Sequence, residues 1–206
     1  MTSDPAPDTR PGLAPAGRPA DGQPGSGHPA RLNVGVVGAG RVGAALAVAL
    51  GRAGHRIAAA SGVSRASRDR VERFLPGTPV LQPGEVVAAA DLVLLTVPDD
   101  ALGGLVSGLA ATGVPLAGRM LAHASGRHGL AVLQPAVELG ALPLALHPVM
   151  TFTGRPEDAD RLAGICFGVT APEVLRPAAE VLVMEMGGEP VFIAEADRGL
   201  YHAALA

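Results

Sequence analysis

Residues 32–54 read LNVGVVGAGRVGAALAVALGRAG. A short apolar run, Leu32–Val37, meets a glycine-rich turn, and an alanine-rich stretch over Val42–Ala53 follows, closed by Gly54. This is a buried strand, a tight turn and a helix with a glycine at its C-terminal stop. The turn, Gly38-Ala39-Gly40-Arg41-Val42-Gly43, has three glycines with distinct jobs. Gly38 permits the tight turn, Gly40 lets a pyrophosphate approach the backbone, and Gly43 lets the helix pack close to the strand. The helix start offers unpaired N–H groups and the positive end of its dipole to phosphates. The bland alternative is an ordinary glycine-rich turn that binds nothing; the strand before it and the helix after it favour a dinucleotide site.

Working outward, strands are expected at Arg56–Ala60, around Val80, and at Asp91–Val97, Met120–Ala124, Leu142–His147, Ile165–Thr170 and Val191–Ala194. Helices are expected at Ala66–Leu75, Gly84–Ala90, Ala101–Ala110, Leu130–Leu139 and Val174–Met186, with another from Ala196. This alternation predicts an α/β fold of the Rossmann type, a doubly wound, mostly parallel sheet with helices on both faces. The expected organisation is a Pro/Gly-rich disordered tail at 1–30, a nucleotide-binding domain at 31–150 and an extension at 151–195. The start of a helical domain follows at 196–206.

Composition narrows the function. The net charge is −3, aromatics make up 2% and there is no Trp. Neither a basic patch nor a stacking surface for nucleic acid is expected. No apolar run reaches the roughly 18–20 residues that span a bilayer. A single cysteine excludes an internal disulfide and fits a cytoplasmic home. Cys166 reads as packed core, His55 as structural, and no His, Cys and acid spacing resembles a metal site. Every basic side chain is Arg, so no lysine chemistry is possible.

The dinucleotide is expected to be NADP(H) rather than NAD(H). An NAD site places an acid at the end of the second strand, but Ala60 is followed by SGVSRASR and the first acid is Asp69. Ser64, Arg65 and Ser67, then Arg68, are the candidate ligands of a 2′-phosphate, since hydroxyls and guanidinium forks suit that group. Ser64 or Ser67 could instead simply cap the next helix. Thr96, Val97 and Pro98, at the end of the Asp91–Val97 strand, are expected beside the glycine turn. Asp99 and Asp100 read as caps of the following helix.

Ligands in such sheets lie beyond the carboxyl ends of the strands. Ser125 and His147 stand at two of those ends. His147 is the candidate acid–base, since imidazole exchanges protons near neutral pH. Ser125 either orients a substrate or serves only its Ser-Gly turn.

The segments VGVVGAGRVGAALAVAL (34–50), SGVSRAS (61–67), DLVLLTVPDDAL (91–102), HASG (123–126), LPLALHPVMTFTG (142–154), FGVTAP (167–172), MEMGGEP (184–190) and LYHAALA (200–206) occur in that order. Together they resemble the bacterial Rossmann-like proteins with a C-terminal domain of unknown function. These are related to the 6-phosphogluconate dehydrogenase-like superfamily, with ketopantoate reductase, pyrroline-5-carboxylate reductase and prephenate dehydrogenase among the relatives. The resemblance implies an NADP(H)-dependent oxidoreductase moving a hydride to or from a small keto or imino acid. It also implies a C-terminal helical domain, early in which this chain stops, and a homodimer through that domain. His147, Pro148 and Met150 would line the substrate pocket, with Tyr201 and His202 facing it and His202 assisting catalysis. Several relatives use a lysine that this chain lacks. The alternatives are an NADP(H)-binding sensor module without turnover, or an inactive fragment.

Overall fold

The computed structural model describes Met1 and residues 31–205; the tail expected at 1–30 lies almost wholly outside the described residues. Strand β1 (Asn33–Val37) leads to helix α1 (Arg41–Arg52), β2 (Arg56–Ser61), α2 (Arg65–Phe74), α3 (Pro83–Ala88), β3 (Leu92–Leu95) and α4 (Asp99–Ala111). Then come β4 (Met120–His123), α5 (Gln134–Val137), β5 (Leu142–Pro148), β6 (Cys166–Thr170), α6 (Arg176–Glu185), β7 (Glu189–Phe192) and α7 (Arg198–Leu205).

The strands form one sheet in the order β2-β1-β3-β4-β5-β6-β7. The order reverses between β1 and β3, which pair in parallel, and this reversal opens a crevice at their carboxyl ends. Two apolar layers cover the sheet. Leu46, Leu50, Leu182 and Val183 pack on one face; Val86, Leu102, Val106 and Leu133 pack on the other. The near-absence of large aromatics is met by close approach: a side chain at Gly35 of β1 would overlap Val86 and Ala90 of the α3 segment.

Four local expectations are corrected. The strand around Val80 is reduced to one parallel bridge between Val80 and Ala60, because Pro79 and Pro83 flank it and limit the ladder. The helix expected at Leu130–Leu139 is a 3₁₀ turn (Leu130–Leu133) followed by the single α turn of α5, with Pro135 near its start. Asp99 and Asp100 lie in the first turn of α4, and the cap position belongs to Pro98 with no side-chain cap bond. Cys166 is exposed at the first position of β6 rather than packed in the core.

β6 runs antiparallel to β5, with His147 opposite Gly168. The connection between them holds only short 3₁₀ turns (Pro156–Asp158, Asp160–Leu162) and no crossover helix, so the chain re-enters at the edge it left. His55, as expected, is structural: buried, it accepts from the N–H of Leu32 at 3.1 Å and pairs with Glu185 at 2.7 Å.

Candidate active site

The glycine turn sits at the reversal point. Gly38 has φ +91°, a conformation open to glycine at little cost. A side chain there would press on Val97 and Thr96. A side chain at Gly43 would collide with the Thr96 hydroxyl and the Gly38 carbonyl. Thr96 seals this packing by donating from its hydroxyl to the Gly38 carbonyl at 2.7 Å. Gly40 differs: its Cβ position is open, with nothing nearer than the Gly38 oxygen at 3.8 Å. Helix α1 begins there with no side-chain cap and no acid in its first turn. The N–H groups of Arg41, Val42 and Gly43, which a helix cannot pair internally, therefore meet an open approach with no competing carboxylate on the helix. Ala39 is fully buried and holds the turn to β2 through its N–H on the Ser61 carbonyl, at 2.8 Å. The cradle fits a pyrophosphate.

Beyond the end of β2 lies a cleft of about 430 Å³ whose lining includes Ser61, Gly62, Val63, Arg68, Gln82 and Glu85. Arg68 reaches its wall and donates to the Val63 carbonyl at 3.0 Å. Arg65 instead points to solvent, its side chain 91% exposed and 4.0 Å from Asp69. Ser64 caps α2, accepting from the Ser67 N–H at 3.1 Å, and the two hydroxyls bond each other at 2.9 Å. One acid unforeseen from sequence lines the cleft. Glu85 sits on the far wall, where it accepts from the Gln82 N–H in a capping box.

The second group of residues gathers at the ends of β4, β5 and β6. His147 is half-buried, and its Nδ1 lies 2.7 Å from the Tyr201 hydroxyl of α7. Gly126 lies so close to the imidazole that a side chain there would touch Cε1 and Nε2 at 2.9 Å. A side chain at Gly168 would overlap the Tyr201 hydroxyl. Ser125 is buried, and its hydroxyl accepts from the N–H groups of Arg127 and His128 at 3.2 and 3.1 Å. These bonds serve the Ser-Gly turn and leave the hydroxyl proton to be donated elsewhere. His202 is half-buried on α7 and makes no hydrogen bond among the described residues.

Beneath this cluster lies Arg198, 2% exposed. Its Nε donates to the Thr170 hydroxyl at 2.7 Å. Its terminal nitrogens reach the carbonyls of Gly168 at 3.0 Å, Ala145 at 3.4 Å and Ser125 at 3.5 Å. One guanidinium thus ties β5, β6 and the turn after β4 together. Glu195 anchors the same segment by accepting from the N–H groups of Leu130 and Ala131 at 2.7 and 3.1 Å. Burial, with the Arg198 charge behind it, lowers the pKa of His147 to about 4. Burial likewise brings His123 to about 4; its Nδ1 faces the Ser125 N–H and its Nε2 the Gly129 carbonyl. Burial raises the Tyr201 phenol above its ordinary value, keeping it protonated.

A family profile described as a Rossmann-like domain matches residues 19–148. The chain belongs to the Rossmann-like domain family. A second profile, a domain of unknown function (DUF2520), matches residues 165–206.

This Rossmann-like chain resembles several solved structures in fold. A Bacteroides fragilis protein described as an NADP oxidoreductase is 19% identical with a TM-score of 0.67, over 85% of this chain and 65% of its own. Prephenate dehydrogenase from Aquifex aeolicus is 16% identical with a TM-score of 0.69, over 84% and 63%. Arogenate dehydrogenase from Synechocystis is 22% identical with a TM-score of 0.62, over 81% and 61%. The chain therefore spans less than two thirds of the length of these proteins. No curated protein sequence matches it. No helix among the described residues is long and apolar enough to cross a membrane, and none of their His, Cys, Asp and Glu side chains cluster as a metal site.

Sequence reasoning missed Arg198. Its neighbours Glu195 and Asp197 make it look like one more charge at a solvated helix start. The usable signal is spacing: Glu195, Arg198 and Tyr201 recur every three residues, near the helical period.

Proposed function

We propose that this protein is an NADP(H)-dependent oxidoreductase acting on the carbonyl or imine of a small molecule. One observation carries the reading. At the reversal point of the sheet, three glycines leave an open, acid-free helix start facing the crevice, and His147 stands at a strand end on the same edge. Gly38, Ala39, Gly40, Arg41, Val42 and Gly43 would hold the pyrophosphate, and Thr96, Val97 and Pro98 would wall the nicotinamide side. Ser64, Ser67 and Arg68 would receive the 2′-phosphate, with Arg65 in reach only by swinging from solvent. The cofactor, when bound, supplies or accepts the hydride.

The residues of the chain handle the proton. His147 would be neutral at neutral pH, with Nδ1 turned to Tyr201 and Nε2, beside Gly126 and without a hydrogen bond among the described residues, the atom that would meet a substrate oxygen or nitrogen. Tyr201, held over Gly168, would fix the tautomer by accepting from Nδ1–H, so that Nε2 takes up the substrate's proton as the hydride leaves and returns it in the reverse direction. Ser125 sets the backbone turn that brings Gly126 against the imidazole, and His202, on α7 and near enough to act on the charge of His147, would assist it. A homodimer is part of the same proposal.

The test is NADPH oxidation, followed at 340 nm, against a panel of small ketones, aldehydes, keto acids and imines. The expected result is turnover with at least one class, reduced about 100-fold or more in His147→Ala. Tight NADPH binding with no hydride exchange across the panel would establish the sensor reading instead.

A further inference from the structure

Helix α1 has a second face that the glycine turn does not use. Arg41, Ala44, Ala45, Val48 and Arg52 stand at positions i, i+3, i+4, i+7 and i+11 and so lie along one side of the helix. That side lines a cavity of about 270 Å³ together with Arg73 and Phe74 of α2 and Gly154, Arg155 and Pro156 of the β5–β6 connection. The cavity shares no lining residue with the cleft beyond β2. Its four arginines are exposed and form the rim, whereas Ala44 and Ala45 are buried and Val48 and Phe74 half-buried, forming an apolar floor.

No acid among the described residues lines this cavity. Arg52 is paired with Asp160 at 2.6 Å. Arg41, Arg73 and Arg155 have no carboxylate within ion-pairing distance among the described residues. Arg41 donates to the Phe152 carbonyl at 3.4 Å, and the Arg73 guanidinium carbon lies 5.3 Å from the centre of the Phe74 ring. The neighbouring acids are turned elsewhere. Asp158 is buried and accepts from the Gly154 N–H at 2.6 Å, the Thr153 hydroxyl at 3.0 Å and Arg161 at 3.1 Å, which fixes the turn that carries Arg155. Glu157 of that connection and Glu72 of α2 are exposed and outside the lining. Gly154 has φ +82°, and a side chain there would press on Arg41 at 3.0 Å and Arg70 at 3.4 Å, so glycine lets these arginines lie over the turn.

A recess lined by one sign of charge concentrates the opposite ion. Guanidinium forks match phosphate oxygens, and three cations without a carboxylate attract a dianion more strongly than a monoanion. The apolar floor beneath them favours a ligand that also carries apolar surface. We propose that this cavity is a binding site for a phosphate monoester with a small apolar body, separate from the dinucleotide crevice. Arg41, Arg73 and Arg155 hold the phosphate from three different elements, and Val48 and Phe74 receive the body.

The experiment follows the methyl signals of Ala45 and Val48 in ¹H–¹³C spectra of the full chain as phenyl phosphate, inorganic phosphate, benzoate or benzyl alcohol is added. These signals report the cavity and not the glycine turn, where a phosphate could also bind. Phenyl phosphate is expected to move them saturably, with an affinity at least tenfold above each of the other three probes. Arg73→Gln and Arg155→Gln should each weaken that binding about tenfold, as loss of one charge-assisted contact does. Arg41 is left intact because the glycine turn uses it. Arg176→Gln makes the same charge change on α6, outside the lining, where Arg176 pairs with Glu173 at 3.0 Å, and should leave the affinity within twofold. Both rim arginines are exposed, so their replacement spares the core. No saturable shift at Ala45 and Val48, equal affinity for phenyl phosphate and any of the other probes, or a loss in Arg176→Gln as large as in Arg155→Gln would overturn the proposal. The readout needs neither cofactor nor turnover, so its outcome is independent of the oxidoreductase reading.

Discussion

The glycine turn and the His147 cluster are built by opposite means. The turn is a backbone object made of six consecutive residues, and its shape follows from missing side chains: Gly38 at φ +91°, Gly43 against Thr96, Gly40 open. The cluster is a side-chain object assembled across the chain. His147 and Tyr201 are 54 residues apart, and Arg198 and Ser125 are 73 apart. In the turn, adding an atom is what does damage. In the cluster, removing one does, because each polar group is held by another. Cofactor affinity should therefore reside in the first region and proton handling in the second, with little crosstalk.

The sharpest way to break that division is to exchange the two kinds of damage. Gly43→Val should destabilise the fold by about 3 kcal/mol, the overpacking range, and weaken NADPH binding more than 100-fold, read by urea unfolding and fluorescence titration. His147→Gln should leave NADPH binding within twofold while removing turnover. A Gly43→Val chain that bound NADPH normally would end the comparison.

The acid response of stability should belong to the cluster. His123 and His147 have folded pKa values near 4, below the ordinary 6.5. Between those values the unfolded chain binds more protons than the folded one, so stability rises with pH. It should be fully present above about pH 6.5 and decline as pH falls toward 4, by on the order of 2 kcal/mol for the deeply buried His123. Urea unfolding at pH 7 and pH 4.5 measures it, and His147→Gln should flatten the slope.

Two smaller effects test the cleft beyond β2. Arg68→Ala should cost about tenfold in NADPH affinity, as one charge-assisted contact does, against under twofold for Arg65→Ala. Equal losses would return Arg65 to the 2′-phosphate site. Ser64→Ala should lower stability by about 1 kcal/mol through loss of the α2 cap, a difference thermal unfolding resolves.

The two regions also differ in how far the sequence revealed them. The turn and its flanking elements were legible because strand, glycines and helix are neighbours, and local physics sets their shape. Ser64 could be read as a cap or as a phosphate ligand, and only the packed helix shows that it caps. Arg65 ranks ahead of Arg68 in the string, but helical rotation sends Arg65 to solvent and Arg68 to the cleft wall. Cys166 looked like core because its strand is apolar, but it stands first in β6, where the neighbouring ladder begins one residue later. His147 was legible as a polar residue at a strand end. Tyr201 was placed at the same pocket by resemblance alone, and Arg198 was not found, because the antiparallel turn into β6 and the return of α7 are long-range events that no local pattern records.

The most direct test of the account is a fluorescence titration of the purified chain with NADPH and, separately, with NADH. The account predicts saturable NADPH binding at least tenfold tighter than NADH, with the difference collapsing in Arg68→Ala. NADH binding as tightly as NADPH would contradict the 2′-phosphate assignment. A folded chain that binds neither would contradict the reading of the glycine turn itself.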